Sequence, residues 1–148
     1  MEMILEQLVN HIVQLKETEI VEIDAKKFHD LQQQEHIDIV TRVKGEICNE
    51  KEGYSYIQIE LKPTSESFRL RVIVRGKFLS ETAVESKKYE RFLLAQGVTI
   101  LWSYAREIIY DITGKMLRNA YLLPTLDVVK TLAKAKVQNG DEQKDAEY

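Results

Sequence analysis

Three segments in the first half of the chain alternate between apolar and polar residues. They are His36–Cys48, Tyr54–Lys62 and Phe68–Leu79. An alternation with a period of two places successive side chains on opposite faces of a β-strand, so we expect each strand to have one apolar and one charged face. The links at residues 49–53 and 63–67 are short and rich in residues that favour turns. The pattern therefore predicts consecutive antiparallel hairpins.

The segments before these strands have weaker patterns. Residues 1–10 carry apolar side chains at helical spacing, which predicts a short amphipathic helix. His11–Ala25 contains scattered isoleucine and valine residues and predicts a fourth strand. The polar run Lys26–Glu35 predicts a loop between this strand and the next one.

The pattern changes to a helical period after the last strand. Glu85–Gln96 places its apolar residues on one side of a helix, and Gly97 is expected to break or kink the chain. The longer segment Val98–Met116 predicts a helix with a continuous apolar stripe. This stripe consists of Val98, Leu101, Trp102, Ala105, Ile108, Ile109, Ile112 and Met116.

The C-terminal part of the chain predicts one more short helix. Pro124 lies in an irregular apolar connection, and Thr125 or Asp127 can cap the helix that follows. Gly140 ends this helix, and the acidic residues 140–148 are expected to form a disordered tail. Strands followed by helices indicate an α+β fold, with a four-stranded antiparallel sheet, the long helix packed on one face and a short C-terminal helix. We expect a single domain over residues 1–139.

The long helix has a second apolar surface outside its main stripe. Ile100, Tyr104 and Tyr110 lie off the stripe, so most of the helix circumference is apolar. Such a helix is either enclosed in a large core or covered by another subunit. A chain of 148 residues is too short to enclose a helix on all sides, which favours a subunit interface. Arg106 and Glu107 interrupt this surface and, if buried, need polar partners across a subunit boundary or in a loop.

Composition narrows the classes of function. A net charge of −3 disfavours a dedicated nucleic-acid binder. The single cysteine, Cys48, cannot form a disulfide within the chain. The first eight residues include two acidic ones, Glu2 and Glu6, where a signal peptide needs basic residues. The chain contains no apolar run of about 18 residues. We therefore expect a cytoplasmic protein that does not insert into membranes.

The polar residues show no set with acid, base and nucleophile roles, so an enzyme is the least expected class. The three histidines lack the spacing of a metal site, and the six glycines form no phosphate-binding loop. No metal or cofactor is therefore expected.

One feature favours nucleic acid as an alternative partner. The charged face of the third alternating strand carries Arg69, Arg71, Arg75 and Lys77. The same sheet face is expected to carry the acidic residues Asp38, Glu46 and Glu60, which favours a surface of mixed charge with cross-strand pairs. Only Tyr54 and Tyr56 offer aromatic rings for stacking on bases.

Two motifs resemble those of the SecB export chaperones. The first is Ile100, Leu101 and Trp102 followed by Tyr104, Ala105, Arg106 and Glu107, and the second is Leu122, Leu123 and Pro124 followed by Leu126 and Asp127. The order of strands, long helix and acidic tail also matches, so the resemblance covers roughly residues 12–148. Ser103 departs from the pattern, because that family usually has proline at this position.

The resemblance implies an ATP-independent chaperone, or holdase, that binds unfolded or pre-export polypeptides in apolar grooves and can deliver them to the translocase ATPase. It also implies a homotetramer, in which subunits pair through their sheets and helices and dimers stack through the long helices. Typical members dock the ATPase on an acidic sheet face, whereas here only Glu22, Asp24 and Glu60 offer acidity. Some relatives are dedicated chaperones of an antitoxin, and this divergent sequence has that role as an alternative.

Glu22, Asp24 and Glu60 are the candidates for docking a translocase, and the other expected site residues fall into two groups. The candidates for client binding flank the long helix and are Tyr89, Phe92, Leu93, Tyr121, Leu122 and Leu126. The alternative for these residues is that they close the core around Pro124. The candidates for the subunit interface are Ile100, Trp102, Tyr104, Arg106 and Glu107.

Overall fold

The computed structural model describes residues 1–4, 11–31, 35–127, 130, 131, 133 and 134. Its elements are β1 (Val13–Lys27), β2 (Ile37–Asn49), β3 (Glu52–Pro63), β4 (Phe68–Ser80), α1 (Ser86–Phe92), a π-helical turn (Leu93–Gly97) and α2 (Val98–Met116). The strands form one antiparallel sheet in the order β1-β4-β3-β2. The predicted hairpins join β2, β3 and β4, and β1 pairs with β4. The predicted α+β fold is confirmed.

The two ends of the chain differ in part from the predictions. Residues 1–4 are not helical, and residues 5–10 of the predicted first helix lie outside the described residues. β1 ends at Lys27, two residues later than predicted, because Lys26 and Lys27 continue the ladder opposite β4. Residues 130, 131, 133 and 134 of the predicted last helix are helical, and the Asp127 carboxylate accepts the Lys130 N–H at 3.1 Å. The predicted tail, residues 140–148, lies outside the described residues.

The two faces of the sheet differ as the alternation predicts. The apolar face of β3 and β4 is almost fully buried under α2 and is formed by Ile57, Ile59, Leu61, Phe68, Leu70, Val72 and Val74. Leu101, Ala105 and Ile109 of α2 are completely buried in the same core. The opposite face of the sheet carries the charged residues. Burial of one face and solvation of the other is the usual arrangement of an antiparallel sheet that packs on a helix.

A row of small residues crosses the sheet where the π-helical turn packs on it. In register, this row consists of Gly45, Ser55, Gly76 and Thr18, one residue from each strand. The Ser55 hydroxyl donates to the carbonyl of Leu93 at 2.7 Å, and a Cβ on Gly97 would overlap that hydroxyl. The backbone of the helix therefore lies directly against the sheet at this point. The sequence predicted a break or a kink at Gly97, and the chain does not break there, because it widens into a π-helical turn and continues into α2.

Candidate functional site

One flank of α2 is covered by the chain that follows it. The Trp102 indole N–H donates to the Pro124 carbonyl at 3.0 Å, and the Arg106 Nε–H donates to the Leu123 carbonyl at 3.0 Å. The Thr113 hydroxyl oxygen accepts the Tyr121 N–H at 2.8 Å. We call this side of α2 the closed flank and residues 121–124 the return segment. The three hydrogen bonds fix the backbone of the return segment against the helix.

These contacts correct two of the expected interface residues. Trp102 is only 5% exposed and belongs to the core of its own chain. Arg106 is half-buried and bonded to the return segment, which is the loop partner that the sequence left open as an alternative. Trp102 therefore offers little surface to a second subunit, and the Nε–H of Arg106 is engaged within its own chain. The helical period identifies the residues that need cover, but it does not tell whether the same chain or another one supplies it.

The other side of α2, which we call the open flank, stays accessible. Its residues Ile100 and Tyr104 are 36% and 42% exposed, and Glu107 beside them is exposed. These three residues keep their expected role in a subunit interface as a prediction. Large apolar side chains left in contact with water in this way are typical of an interaction surface.

The sheet contributes a further exposed apolar surface that the sequence did not single out. Ile20 and Ile23 of β1 pair with Val74 and Val72 and so lie on the apolar face, yet they are 47% and 46% exposed. α2 packs mainly on β3 and β4, and Ile20 and Ile23 of β1 stay accessible. Register shifts between Leu15 and Glu17 and between Ile20 and Glu22 interrupt the alternation along β1. Because of this interruption, the sequence of the strand shows no continuous alternation that would predict its apolar face.

The expected client-binding residues before α2 are mostly inaccessible. Tyr89 and Leu93 are fully buried in a second cluster with Val13 and Phe78. The Tyr89 hydroxyl lies 3.1 Å from the carbonyls of Lys51 and Phe78, and burial raises the pKa of this phenol. These two residues lie in a core rather than on a client surface, but it is not the core around Pro124 that the alternative interpretation expected. Their side chains fill the space beneath α1 and the π-helical turn, since glycines at this end of the sheet admit them.

Phe92 and the residues after α2 are accessible to different degrees. Phe92 is half-buried, stacks on the ring of His11 at 5.0 Å and meets Phe78 edge-on at 5.4 Å. Tyr121 and Leu126 are half-buried, whereas Leu122 is 58% exposed. Leu122 is therefore the most accessible of the expected client-binding residues.

The three acidic residues expected to dock a translocase are engaged in ion pairs. Asp24 lies 3.1 Å from Arg69, and Arg71 lies 2.9 Å from Glu22 and 3.8 Å from Glu60. The hydrogen bond and charge of Glu22 raise the pKa of the Arg71 guanidinium. Because β4 lies next to β1, the acidic partners come mainly from β1 rather than from β2. The charged face therefore presents balanced charges to a partner, not an acidic patch.

The remaining features of this face also argue against nucleic acid. The Arg75 guanidinium lies 5.1 Å from the ring centroid of Tyr54, and the Lys44 ammonium lies 5.4 Å from that of Tyr56. Cations thus already occupy the aromatic rings on which a base would stack. Arg75 also pairs with Glu19, and Lys77 lies 3.4 Å from Glu52.

The described residues contain no group of three or more His, Cys, Asp or Glu side chains arranged to hold a metal ion. None of the helices found in this part of the chain is long and apolar enough to cross a membrane.

The fold is similar to that of solved structures, one of which is a SecB-like chaperone. A SecB-like chaperone of Mycobacterium tuberculosis, solved in complex with the ChAD peptide from the HigA1 antitoxin, matches with a TM-score of 0.69 and 16% identity over 78% of this chain and 91% of that one. A Streptococcus agalactiae protein of unknown function matches with a TM-score of 0.51 and 10% identity over 76% and 96% of the two chains. No family model matches the sequence, and no curated protein matches it significantly. The chain has the SecB-like fold that its two motifs predicted.

Proposed function

We propose that the protein is an ATP-independent chaperone that binds unfolded segments of other polypeptides. The observation that carries the proposal is the exposed Leu122 side chain on a return segment whose backbone is tied to α2. Phe92, Tyr121 and Leu126 supply further accessible apolar area around the helix ends. The similarity in fold to a chaperone solved with a bound antitoxin peptide supports the same class of function.

An apolar surface of this kind suits a client of variable sequence. Burial of apolar area contributes about 25 cal/mol per Å² without requiring a fixed partner geometry. Several small contacts along an extended client can therefore add up to tight binding while each of them stays replaceable. The sequence has no phosphate-binding loop, so binding and release are expected without ATP.

The proposal includes self-association into a homotetramer. Ile100 and Tyr104 on the open flank and Ile20 and Ile23 on β1 are the exposed apolar residues that a second copy would cover, with Glu107 at their border. A contact of standard size, about 1,600 Å² in total, is enough to bury them. This assignment leaves Leu122 and Phe92 for clients.

A dedicated partner is the second candidate. The mycobacterial chaperone was solved with a peptide from one antitoxin, and this favours a client of that kind as the alternative for this chain. We do not extend the proposal to docking on the translocase ATPase, because Glu22, Asp24 and Glu60 are paired with arginine. Delivery for export would need a contact that does not depend on an acidic face.

The test is suppression of aggregation. A chemically unfolded protein is diluted into buffer without ATP, and light scattering is followed with and without the chaperone. The wild type should delay aggregation, and Leu122→Ser should protect less while its circular dichroism spectrum and mass are unchanged. Val40→Ser is the matched control, because Val40 lies opposite Glu60 on the charged face of the sheet. Absence of any protection by the wild type contradicts a general holdase.

The choice between the two candidates needs several unrelated clients. A general holdase should protect most of them, with affinities that follow their content of exposed apolar segments. Protection of one antitoxin-like partner alone, with no effect on the others, would establish the dedicated role.

A further inference from the structure

We propose that Trp102, Arg106 and Thr113 are positioning residues that hold the return segment in the register that presents Leu122 to a client. The inference rests on the proposed chaperone function and extends it. None of the three side chains is assigned a contact with the client. Their role is to fix the backbone on which the client-binding side chain stands.

The return segment has no regular structure of its own. Residues 121–124 form neither helix nor strand, so their backbone groups gain no partners from a helix or a sheet ladder of their own. Backbone groups shielded from water need other partners, and α2 provides them here through its side chains. The bonded groups are the N–H of Tyr121, the carbonyl of Leu123 and the carbonyl of Pro124. They bracket Leu122 on both sides.

The sequence of the segment makes its register ambiguous. Leu122 and Leu123 are adjacent and chemically identical, yet Leu123 is completely buried while Leu122 is 58% exposed. A shift by one residue would bury Leu122 and expose Leu123 at little cost in apolar burial. Hydrophobic burial alone therefore cannot choose between the two arrangements. The three hydrogen bonds from α2 hold the backbone in the observed arrangement, because any displacement of the segment breaks them and leaves part-buried donors and acceptors without partners.

The three side chains are spaced along the helix to follow the segment in the antiparallel direction. Thr113, late in α2, bonds residue 121, whereas Arg106 and Trp102, progressively earlier, bond residues 123 and 124. The Thr113 hydroxyl is itself fixed, since it donates to the Ile109 carbonyl at 2.7 Å. The contact between Arg106 and Leu123 also joins the two sequence motifs on which the resemblance rests.

The test is a double-mutant cycle in client affinity. The probe is a permanently unfolded, carboxymethylated protein with a fluorescent label, and binding is measured by anisotropy far below the thermal midpoint of every variant. Trp102→Phe keeps an aromatic ring and removes the N–H donor, and Thr113→Val keeps the shape and removes the acceptor. Each should weaken binding about five-fold. Thr99→Val is the matched control, because the Thr99 hydroxyl bonds only within the helix, at Ala95.

The cycle separates positioning from general destabilisation. In a Leu122→Ser background, Trp102→Phe should weaken binding by much less than in the wild type, because the side chain that it positions is already gone. Arg106→Lys, which keeps a donor, should bind more tightly than Arg106→Met. Equal effects of Trp102→Phe in both backgrounds overturn the inference. Failure of the wild type to bind the probe contradicts the proposed function instead.

Discussion

The two flanks of α2 differ in what covers them and in their chemistry. The closed flank carries an indole, a guanidinium and a hydroxyl that bond the return segment. The open flank presents Ile100 and Tyr104, which are exposed. An irregular segment of the same chain brings unsatisfied backbone groups and therefore needs polar side chains beneath it. In a second folded subunit the backbone groups of a regular helix are already hydrogen-bonded to each other. A contact between the open flank and such a helix therefore needs no polar side chains, and apolar side chains suit it.

The largest effect is expected on the closed flank. Trp102→Ala removes a nearly buried aromatic ring together with its hydrogen bond, and it should lower the free energy of unfolding by about 3–5 kcal/mol. Tyr110→Ala on an exposed part of the same helix should change it by less than about 0.5 kcal/mol. Urea denaturation of both variants makes the comparison. Similar losses for the two variants would mean that Trp102 is not part of the core.

A smaller loss of stability should follow from disturbing the contact between Gly97 and Ser55, which positions α2 and both its flanks on the sheet. Gly97→Ala introduces a Cβ into the Ser55 hydroxyl and should cost about 1–3 kcal/mol of stability. Gly114→Ala is the control in the same helix. Its Cβ would lie 3.5 Å from that of Ala120, an ordinary contact. This change should stabilise the protein by up to about 1 kcal/mol because alanine favours helices. A neutral Gly97→Ala would show that the helix does not lie against the sheet as described.

The smallest effect concerns pH and the buried Tyr89. Burial raises the pKa of this phenol in the folded chain, whereas the unfolded chain releases the proton near its ordinary value of about 10. Above that pH the folded state holds the proton more firmly than the unfolded state, so stability falls as pH rises. Tyr89→Phe should lower the free energy of unfolding by about 1 kcal/mol at neutral pH. The variant should also lack this part of the fall in stability at alkaline pH. Parallel pH profiles for the two proteins would contradict the burial of this hydroxyl.

The sheet could be predicted from sequence because a period of two is a local property of each strand. The row of small residues that includes Gly45, Ser55 and Gly76 could not be predicted, since these residues are recognised as neighbours only once the register is known. The exposed apolar face of β1 was not predicted, because two register shifts interrupt the alternation along this strand.

The client surface was predicted only in part for a related reason. Leu122 and Leu123 look alike in the sequence, and only the structure, in which α2 bonds the backbone beside them, distinguishes the exposed one. Trp102 and Arg106 met the criteria for an interface because the return segment that covers them has no periodic pattern. Tyr89 and Leu93 were expected at the surface because the glycines that admit them come from distant strands.

The most direct test of the account is the mass of the assembly when the open flank is made polar. Sedimentation velocity at micromolar concentration should show a tetramer for the wild type and for Ser103→Asp, which adds the same charge at an exposed position between the flanks. Ile100→Asp should sediment as a dimer or monomer with an unchanged circular dichroism spectrum, because a carboxylate cannot be buried in an apolar contact without a partner. A wild type that sediments as a monomer, or an Ile100→Asp variant that stays a tetramer, would contradict the assignment of the open flank to a second subunit.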